Sequence, residues 1–293
     1  MISPKLKLLI EQNLLDFTGK PQEIISVEHI CGGCINKAAR IKTTYGTFFV
    51  KWNSIGRYPN MFEVEARGLM LLKEQLVIKI PVVIALGEAD KDAYLLMEYV
   101  ETGLKTPNFW NNFGASMARL HKVTGQYYGL DTDNYIGCLI QHNQPHANWT
   151  SFFIKERLEP QIKLALDTGA INSGIVKKFD ALYKKLETFF PLEPPSLIHG
   201  DLWSGNFIAT PDEQACIYDP AVYYGSREMD IAMSKLFGGF DKQFYESYNL
   251  HFHLQEDWED RIDVYNLYPL LVHVNLFGGG YVSQVKGILD SLL

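Results

Sequence analysis

Ser196-Leu-Ile-His-Gly-Asp-Leu-Trp-Ser-Gly-Asn-Phe-Ile-Ala209 decides how the rest of the chain is read. An apolar run delivers the backbone into a loop where a carboxylate, Asp201, stands five residues before an amide, Asn206. Phosphoryl-transfer loops use that spacing to set a catalytic base beside a Mg²⁺ ligand. A lone His-Gly-Asp is ordinary turn chemistry, since glycine and aspartate both favour turns. The residues after the loop are more specific. Phe207-Ile-Ala-Thr210 and Ala215-Cys-Ile-Tyr218 read as two short strands joined by a turn at Pro211-Asp-Glu213, and Asp219 comes next. Antiparallel pairing would set Asn206 and Asp219 across one site, where they can hold Mg²⁺ on the phosphates of ATP.

Parts that such a loop needs stand upstream. Ile24 to Ile30 reads as a strand running into Cys31-Gly-Gly-Cys-Ile-Asn36, and Ala38 to Thr43 and Thr47 to Trp52 form a hairpin about Tyr45-Gly46. Adjacent glycines let backbone N–H groups approach phosphate oxygens, although Gly-Gly alone more often marks a plain turn. Alternation puts Lys51 on one strand face with Phe49 and Thr47. A lysine there commonly snorkels at an edge; with a glycine loop behind it, a phosphate contact is the better reading. Met61 to Glu74 is a helix candidate whose Glu65, Leu69 and Leu72 share a face. A carboxylate leading an apolar face needs a partner, and Lys51 is the obvious one. Glu63 points elsewhere, toward solvent. Ile78 to Leu86 and Ala93 to Val100 look like two more strands separated by a charged turn at Glu88 to Asp92. Met97-Glu98-Tyr99-Val100 suits a linker between lobes whose backbone can hydrogen-bond an adenine. The first lobe is thus read as five-stranded and as ending near residue 100.

Beyond it the pattern turns helical. Asn108 to Lys122, Trp149 to Leu166, Gly174 to Phe190, Glu228 to Phe237 and Lys242 to Leu250 are amphipathic stretches. A last helical region from Glu259 to Leu292 is broken at Gly278-Gly-Gly280. His121 reads as a buried structural histidine. Asp219 and Asp230 lie eleven positions apart. That interval leaves no room for the long activation segment and peptide platform of a protein kinase, which favours a small-molecule acceptor.

Bulk properties agree with an enzyme of this kind. The 293 residues are 47% hydrophobic and 21% charged, enough for a large core and two lobes. A net charge of −7 and a pI near 5.6 argue against nucleic acid as a partner. No apolar run approaches the roughly 18 residues of a membrane span, and the N-terminus lacks the pattern of a signal peptide, so a cytoplasmic location without membrane association is expected. Cysteines at 31, 34, 138 and 216 do not make a disulfide framework. Cys31-Gly-Gly-Cys34 has no second pair suited to completing a zinc site.

Taken together, Cys34-Ile-Asn36, Phe49-Val-Lys51, Met61-Phe-Glu-Val-Glu65, Met97-Glu-Tyr99, Tyr135-Ile-Gly137, Gln141-His-Asn143, Trp149-Thr-Ser-Phe-Phe153, Arg157-Leu158, His199-Gly-Asp-Leu-Trp-Ser-Gly-Asn206 and Asp219-Pro-Ala-Val-Tyr-Tyr-Gly225 with Glu228-Met-Asp230 resemble the fructosamine kinase (ketosamine-3-kinase) family. The likeness runs from about residue 25 to 285. The Asp-Leu-Trp-Ser-Gly-Asn string and the Gln-x-Asn to Trp-x-x-Phe-Phe block set it apart from aminoglycoside and choline kinases.

The resemblance implies an α+β, two-lobed protein-kinase-like fold, with a small antiparallel-sheet nucleotide lobe over residues 1–100 and a larger, mainly helical catalytic and substrate lobe over 101–293. It implies transfer from ATP, with Mg²⁺, to the 3-hydroxyl of a sugar joined to an amine. Carried across, Asp201 is the proton acceptor, Asn206 and Asp219 hold Mg²⁺, and Lys51 and Glu65 position phosphate. Glu98, Tyr99 and Val100 contact adenine, Trp203 and Ser204 shape the sugar pocket, and Asp230 braces the loop. For Trp203, core packing is the competing reading.

The product would carry phosphate beta to the C2 carbonyl, where it is prone to elimination. Loss of phosphate and then of the amine would free a glycated lysine, which implies a repair role. The acceptor is a free or protein-bound ketosamine, with ribulosamines or erythrulosamines expected ahead of fructosamines, and the assembly is a monomer or homodimer.

The glycine loop here is poorer in glycine than a full Gly-x-Gly-x-x-Gly, so phosphate contacts at Gly32, Gly33 and Cys34 rest on the resemblance. Cys34 is expected to be exposed beside the nucleotide, where its oxidation would inhibit; a small residue without redox role is the alternative. Competing functions are a kinase of another small alcohol, such as an aminoglycoside, choline or a free sugar, and a catalytically dead kinase-like binding module. Dead relatives usually lose one of the counterparts of Lys51, Asp201, Asn206 and Asp219, and all four are present here.

Overall fold

In the computed structural model the described residues are 2–30 and 36–293. The expected phosphate contacts of Gly32, Gly33 and Cys34, and the expected exposure of Cys34, fall outside them.

Among the described residues, those up to about residue 100 build one five-stranded antiparallel sheet and two helices. Helix α1 (Pro4–Thr18) begins with a Ser3 cap that accepts from the Leu6 N–H and stops at Gly19 in the left-handed region, φ 70°. Strands β1 (Ile24–Ile30), β2 (Lys37–Thr43), β3 (Thr47–Ser54), β4 (Val83–Ala89) and β5 (Asp92–Glu98) assemble in the order β1-β2-β3-β5-β4. The period of two sorts their side chains. Ala39, Ile41, Val50, Trp52 and Leu96 face α1, where Leu6, Ile10 and Leu14 cover them. Leu95 and Met97 face the other way, toward α2 (Met61–Lys73), which brings Phe62, Ala66, Leu69 and Leu72 against them. That second face continues into the core beneath the His199–Asn206 loop, where Leu202, Phe207, Ile217 and Val222 join the same cluster.

Beyond the sheet come α3 (Pro107–His121), β6 (Asn134–Ile136), β7 (Leu139–Gln141), α4 (Trp149–Phe152), α5 (Glu159–Asp167) and α6 (Ser173–Phe189). They are followed by β8 (Ser196–Ile198), β9 (Phe207–Ala209), β10 (Ala215–Ile217), β11 (Tyr223–Gly225), α7 (Glu228–Leu236), α8 (Lys242–His251), α9 (Trp258–Phe277) and α10 (Gly280–Leu292). Gly114 lets α3 and α8 touch, since a Cβ there would sit 2.3 Å from the Phe244 carbonyl oxygen. The hydrophobic centre of this part is α9, packed with α4 to α7 and α10. No helix among the described residues is long and apolar enough to cross a membrane.

Four expectations need correction. Residues 78–82 are not strand: Pro81 withholds a ladder donor, and β4 begins only at Val83. Glu88 and Ala89 belong to β4, so the turn is tighter than expected and is carried by Asp90 at φ 59°. β5 ends at Glu98, leaving Tyr99 and Val100 outside the strand. The stretch from Trp149 to Leu166 is not one regular helix, because a π-helical segment, Phe153–Leu158, separates α4 from α5 and accompanies full burial of Arg157.

Candidate active site

Three devices hold the loop from His199 to Asn206. Asp230, at the start of α7 and fully buried, accepts the His199 N–H at 2.7 Å and the Gly200 N–H at 2.9 Å, and its Oδ2 lies 3.1 Å from His121 Nε2. Asp230 therefore braces the loop, and His121, whose Nδ1 is 2.8 Å from the Tyr248 hydroxyl, completes a buried structural network. The His199 ring works in both directions: Nε2–H donates to the Tyr218 carbonyl at 3.0 Å, and Nδ1 accepts the Asp201 N–H at 3.2 Å. Burial holds His199 below the ordinary imidazole range, against the pull of Asp230, so the neutral tautomer this pattern needs is favoured. Gly200 is the third device. Its φ is 81°, and a Cβ would lie 2.1 Å from the Ala221 carbonyl oxygen, so only glycine lets the segment after Asp219 pass this close.

The hairpin forms as the spacing predicts. Phe207 pairs with Ile217, Ile208 with Cys216 and Ala209 with Ala215, and the Tyr218 N–H donates to the Asn206 carbonyl at 3.1 Å. Asp219 comes next in the left-handed region at φ 55°, an uncommon conformation for a residue other than glycine that turns its carboxylate toward the sheet. There it contacts the Lys51 amine, which also donates to Glu65 at 2.8 Å. Burial alone would depress the lysine, but Asp219 and Glu65 raise it above its ordinary value, so it stays charged. Glu65 is pushed upward by its own burial; Lys51 opposes that shift and the like charge of Asp219 adds to it. The exposed Glu63, by contrast, pairs with Arg67 on the helix surface.

Across the site, Asn206 Nδ2 donates to the Asp201 carbonyl at 2.9 Å and to Asp201 Oδ2 at 2.8 Å. Burial, offset by this Asn206 bond and reinforced by Asp219 and Asp230, pushes the Asp201 carboxyl up to about 7. A carboxylate with that acidity is poised to exchange a proton near neutral pH.

The chain leaving β5 is held at three points, the last of them on the same hairpin. The Glu98 N–H donates to the Val82 carbonyl at 2.9 Å, the Arg40 guanidinium covers the Tyr99 ring at 4.7 Å, and the Gly103 N–H donates to the Ala209 carbonyl at 2.6 Å. Among the described residues the backbone N–H of the buried Val100 has no hydrogen-bond partner.

A fructosamine kinase family profile matches residues 7–293. This chain belongs to the fructosamine kinase family. It is a kinase, a phosphotransferase. A probable ketoamine kinase of Enterococcus faecium is 40% identical over 270 residues, covering 89% of this chain and 93% of the relative. The chloroplastic protein-ribulosamine 3-kinase of Arabidopsis thaliana is 38% identical over 281 residues, 94% of this chain and 85% of the relative. The crystal structure of a Haemophilus somnus 129PT protein assigned as a fructosamine-3-kinase superposes with a TM-score of 0.88 at 31% identity, covering 97% and 96% of the two chains. The architecture is α+β and protein-kinase-like.

In this family member Trp203 is half-buried, stands edge-on to Phe237 with centroids 5.9 Å apart, and lies over Gly205, where a Cβ would fall 2.4 Å from the indole. Ser204 is exposed. Neither Gly200 nor the β6–β7 hairpin carried an assigned role in the sequence. Gln141 and Asn143 stood out there only as a motif, whereas Asn134 and Gln141 now prove to bond the backbone just after Asp219.

Proposed function

We propose that the protein is an ATP-dependent ketosamine 3-kinase whose catalytic base is Asp201. The contact chain from Glu65 through Lys51 to Asp219, with Asn206 bonded to Asp201 on the other side of the β9–β10 hairpin, carries this reading. Asp201 orients the acceptor hydroxyl and takes its proton as the phosphorus–oxygen bond forms. Lys51, held charged by two carboxylates, lies against ATP phosphate oxygens and offsets charge on the transferring group. The Glu98–Val100 backbone receives adenine, while Trp203 and Ser204 border the sugar. The lobe boundary is proposed near residue 100, where β5 has ended and the chain passes to α3.

Mg²⁺ suits this site on the chemistry of its donors. Asn206 turns its amide nitrogen to Asp201, leaving an oxygen, and Asp219 offers a carboxylate; one or two such oxygens, completed by phosphate and water, are what Mg²⁺ takes. When bound, the ion would neutralise β- and γ-phosphate charge, with Asn206 and Asp219 holding it.

The family and the ketoamine and ribulosamine names of its relatives favour a ketosamine acceptor over an aminoglycoside, choline or a free sugar. Ribulosamines and erythrulosamines, free or on protein lysines, are proposed ahead of fructosamines. Phosphate at the 3-position then eliminates and releases the amine, which amounts to deglycation.

The test is ADP release with Mg-ATP against ribulose-lysine, erythrulose-lysine, fructose-lysine, kanamycin and choline, with phosphorus NMR of the product. Turnover of the pentulose and tetrulose adducts with phosphate on the 3-oxygen supports the reading. Turnover of kanamycin or choline alone overturns the substrate and keeps the phosphotransferase.

A further inference from the structure

Behind the segment just past Asp219 lies a cation the proposed chemistry does not use. Arg157 is fully buried, and among the described residues no carboxylate pairs with it. Its guanidinium instead lies against the rings of Tyr223 at 3.9 Å and Phe152 at 4.5 Å. A buried charge without a counter-ion is costly, so its hydrogen bonds carry information about why it is there.

Arg157 Nη2 donates to Asn143 Oδ1 at 2.7 Å. Arginine can only donate, so Asn143 must present its oxygen to it and its amino group to the far side. That amino group donates to the Thr132 carbonyl at 3.0 Å, which supports the same orientation, and to Asn134 Oδ1 at 3.1 Å, which also accepts from Gln141 Nε2 at 2.8 Å. With its oxygen committed, Asn134 must turn its own amino group outward, and it donates to the Val222 carbonyl at 2.8 Å. Gln141 is oriented the same way. Tyr268 donates to its Oε1 at 2.8 Å, and its Nε2 reaches the Ala221 carbonyl at 3.0 Å. The relay therefore ends with amide donors on the two carbonyls immediately beyond Asp219-Pro220.

We propose that Arg157 is a positioning residue that sets the polarity of this amide relay, and that Asn134 and Gln141 thereby hold Ala221 and Val222, and with them Asp219, in register with the catalytic loop. The Ala221 carbonyl is also the one that Gly200 closely approaches, and the Ala221 N–H donates to the His199 carbonyl at 2.9 Å. The relay thus acts where the loop of Asp201 and the segment of Asp219 meet. Its functional consequence rests on the proposed role of Asp219 as a metal and phosphate residue. The backbone consequence does not depend on that role.

Two measurements separate these. Arg157→Gln replaces an obligate donor with a group that can also accept, so Asn143 keeps only its bond to the Thr132 carbonyl to orient it and the relay is loosened. Gln141→Glu keeps the shape and removes the donor to the Ala221 carbonyl. Amide hydrogen exchange over residues 219–225 in nucleotide-free protein is expected to accelerate roughly tenfold in either variant, about the worth of one net hydrogen bond. By calorimetry, ADP with Mn²⁺ as the probe ion is expected to bind roughly tenfold more weakly, with metal-free ADP within about twofold of the parent. Faster exchange with unchanged Mn²⁺-dependent binding would uphold the relay and overturn the metal role of Asp219. Parent-like exchange over 219–225, with only a lower melting temperature, would overturn the relay. Should Arg157→Gln fail to fold, Gln141→Glu decides on the same readouts.

Discussion

Acidity is the perturbation that bears most directly on Asp201. Burial, opposed by the Asn206 amide and reinforced by the charges of Asp219 and Asp230, lifts its carboxyl to about 7 from the ordinary aspartate value of 3.8. A base must be ionised to accept a proton, so activity belongs to the high-pH side and is lost as pH falls through the folded value. A single group titrating near 7 is ionised in about nine-tenths of molecules at pH 8 and about one-tenth at pH 6, so kcat/KM should drop about tenfold between them. Direct quantification of ADP by chromatography at several pH values avoids a pH-sensitive coupling enzyme.

Phosphate groups titrate near pH 6 themselves, so the inflection must be assigned to the protein. Asp230→Asn removes one of the charges that raise Asp201 and should move the inflection to lower pH in whatever fraction remains folded. A flat profile from pH 6 to 8, or an inflection indifferent to Asp230, would refute the reasoning. Linkage runs the opposite way for folding. With the folded value above the unfolded one, this group favours folding most at low pH, and that contribution fades as pH rises from about 4 to about 7.

Lys51→Met should lower kcat by at least about 100-fold and weaken ATP, since it removes the charge proposed to face phosphate and leaves Glu65 and Asp219 facing each other; near-parent kcat in steady-state assays would contradict this. Gly200→Ala should cost at least about 3 kcal/mol in urea unfolding, because it combines a φ of 81° with a Cβ 2.1 Å from a carbonyl oxygen. A loss under about 1 kcal/mol would mean that the contact with Ala221 relaxes easily.

What could be read beforehand was local. The β9–β10 hairpin, its turn and the flanking Asn206 and Asp219 lie within about fifteen residues, and alternation in β3 put Lys51 on the face toward α2 and Glu65. Interaction over distance was not legible. β8 and β11 are three-residue strands whose partners, Ser196 with Gly225 and Ile198 with Tyr223, have no periodicity to announce them. The same holds for β6 and β7, whose polar Asn134 and Gln141 look like loop residues until Val222 and Ala221 stand opposite them. The π-helical segment escaped because an apolar period over Trp149 to Leu166 fits an α-helix nearly as well. Gly200 escaped because a glycine beside an aspartate is indistinguishable in sequence from any turn, and only the approach of Ala221 shows why no other residue fits.

The most direct measurement is single-turnover transfer from Mg-ATP to ribulose-lysine by the parent protein and by Asp201→Asn, with ATP affinity measured in parallel. Phosphorylated ketosamine is expected from the parent, and in the variant ATP should still bind while transfer slows by at least about 100-fold. Transfer at the parent rate by Asp201→Asn, or no transfer to ribulose-lysine or any other ketosamine by a parent protein that binds ATP, would contradict a ketosamine kinase with Asp201 as its base.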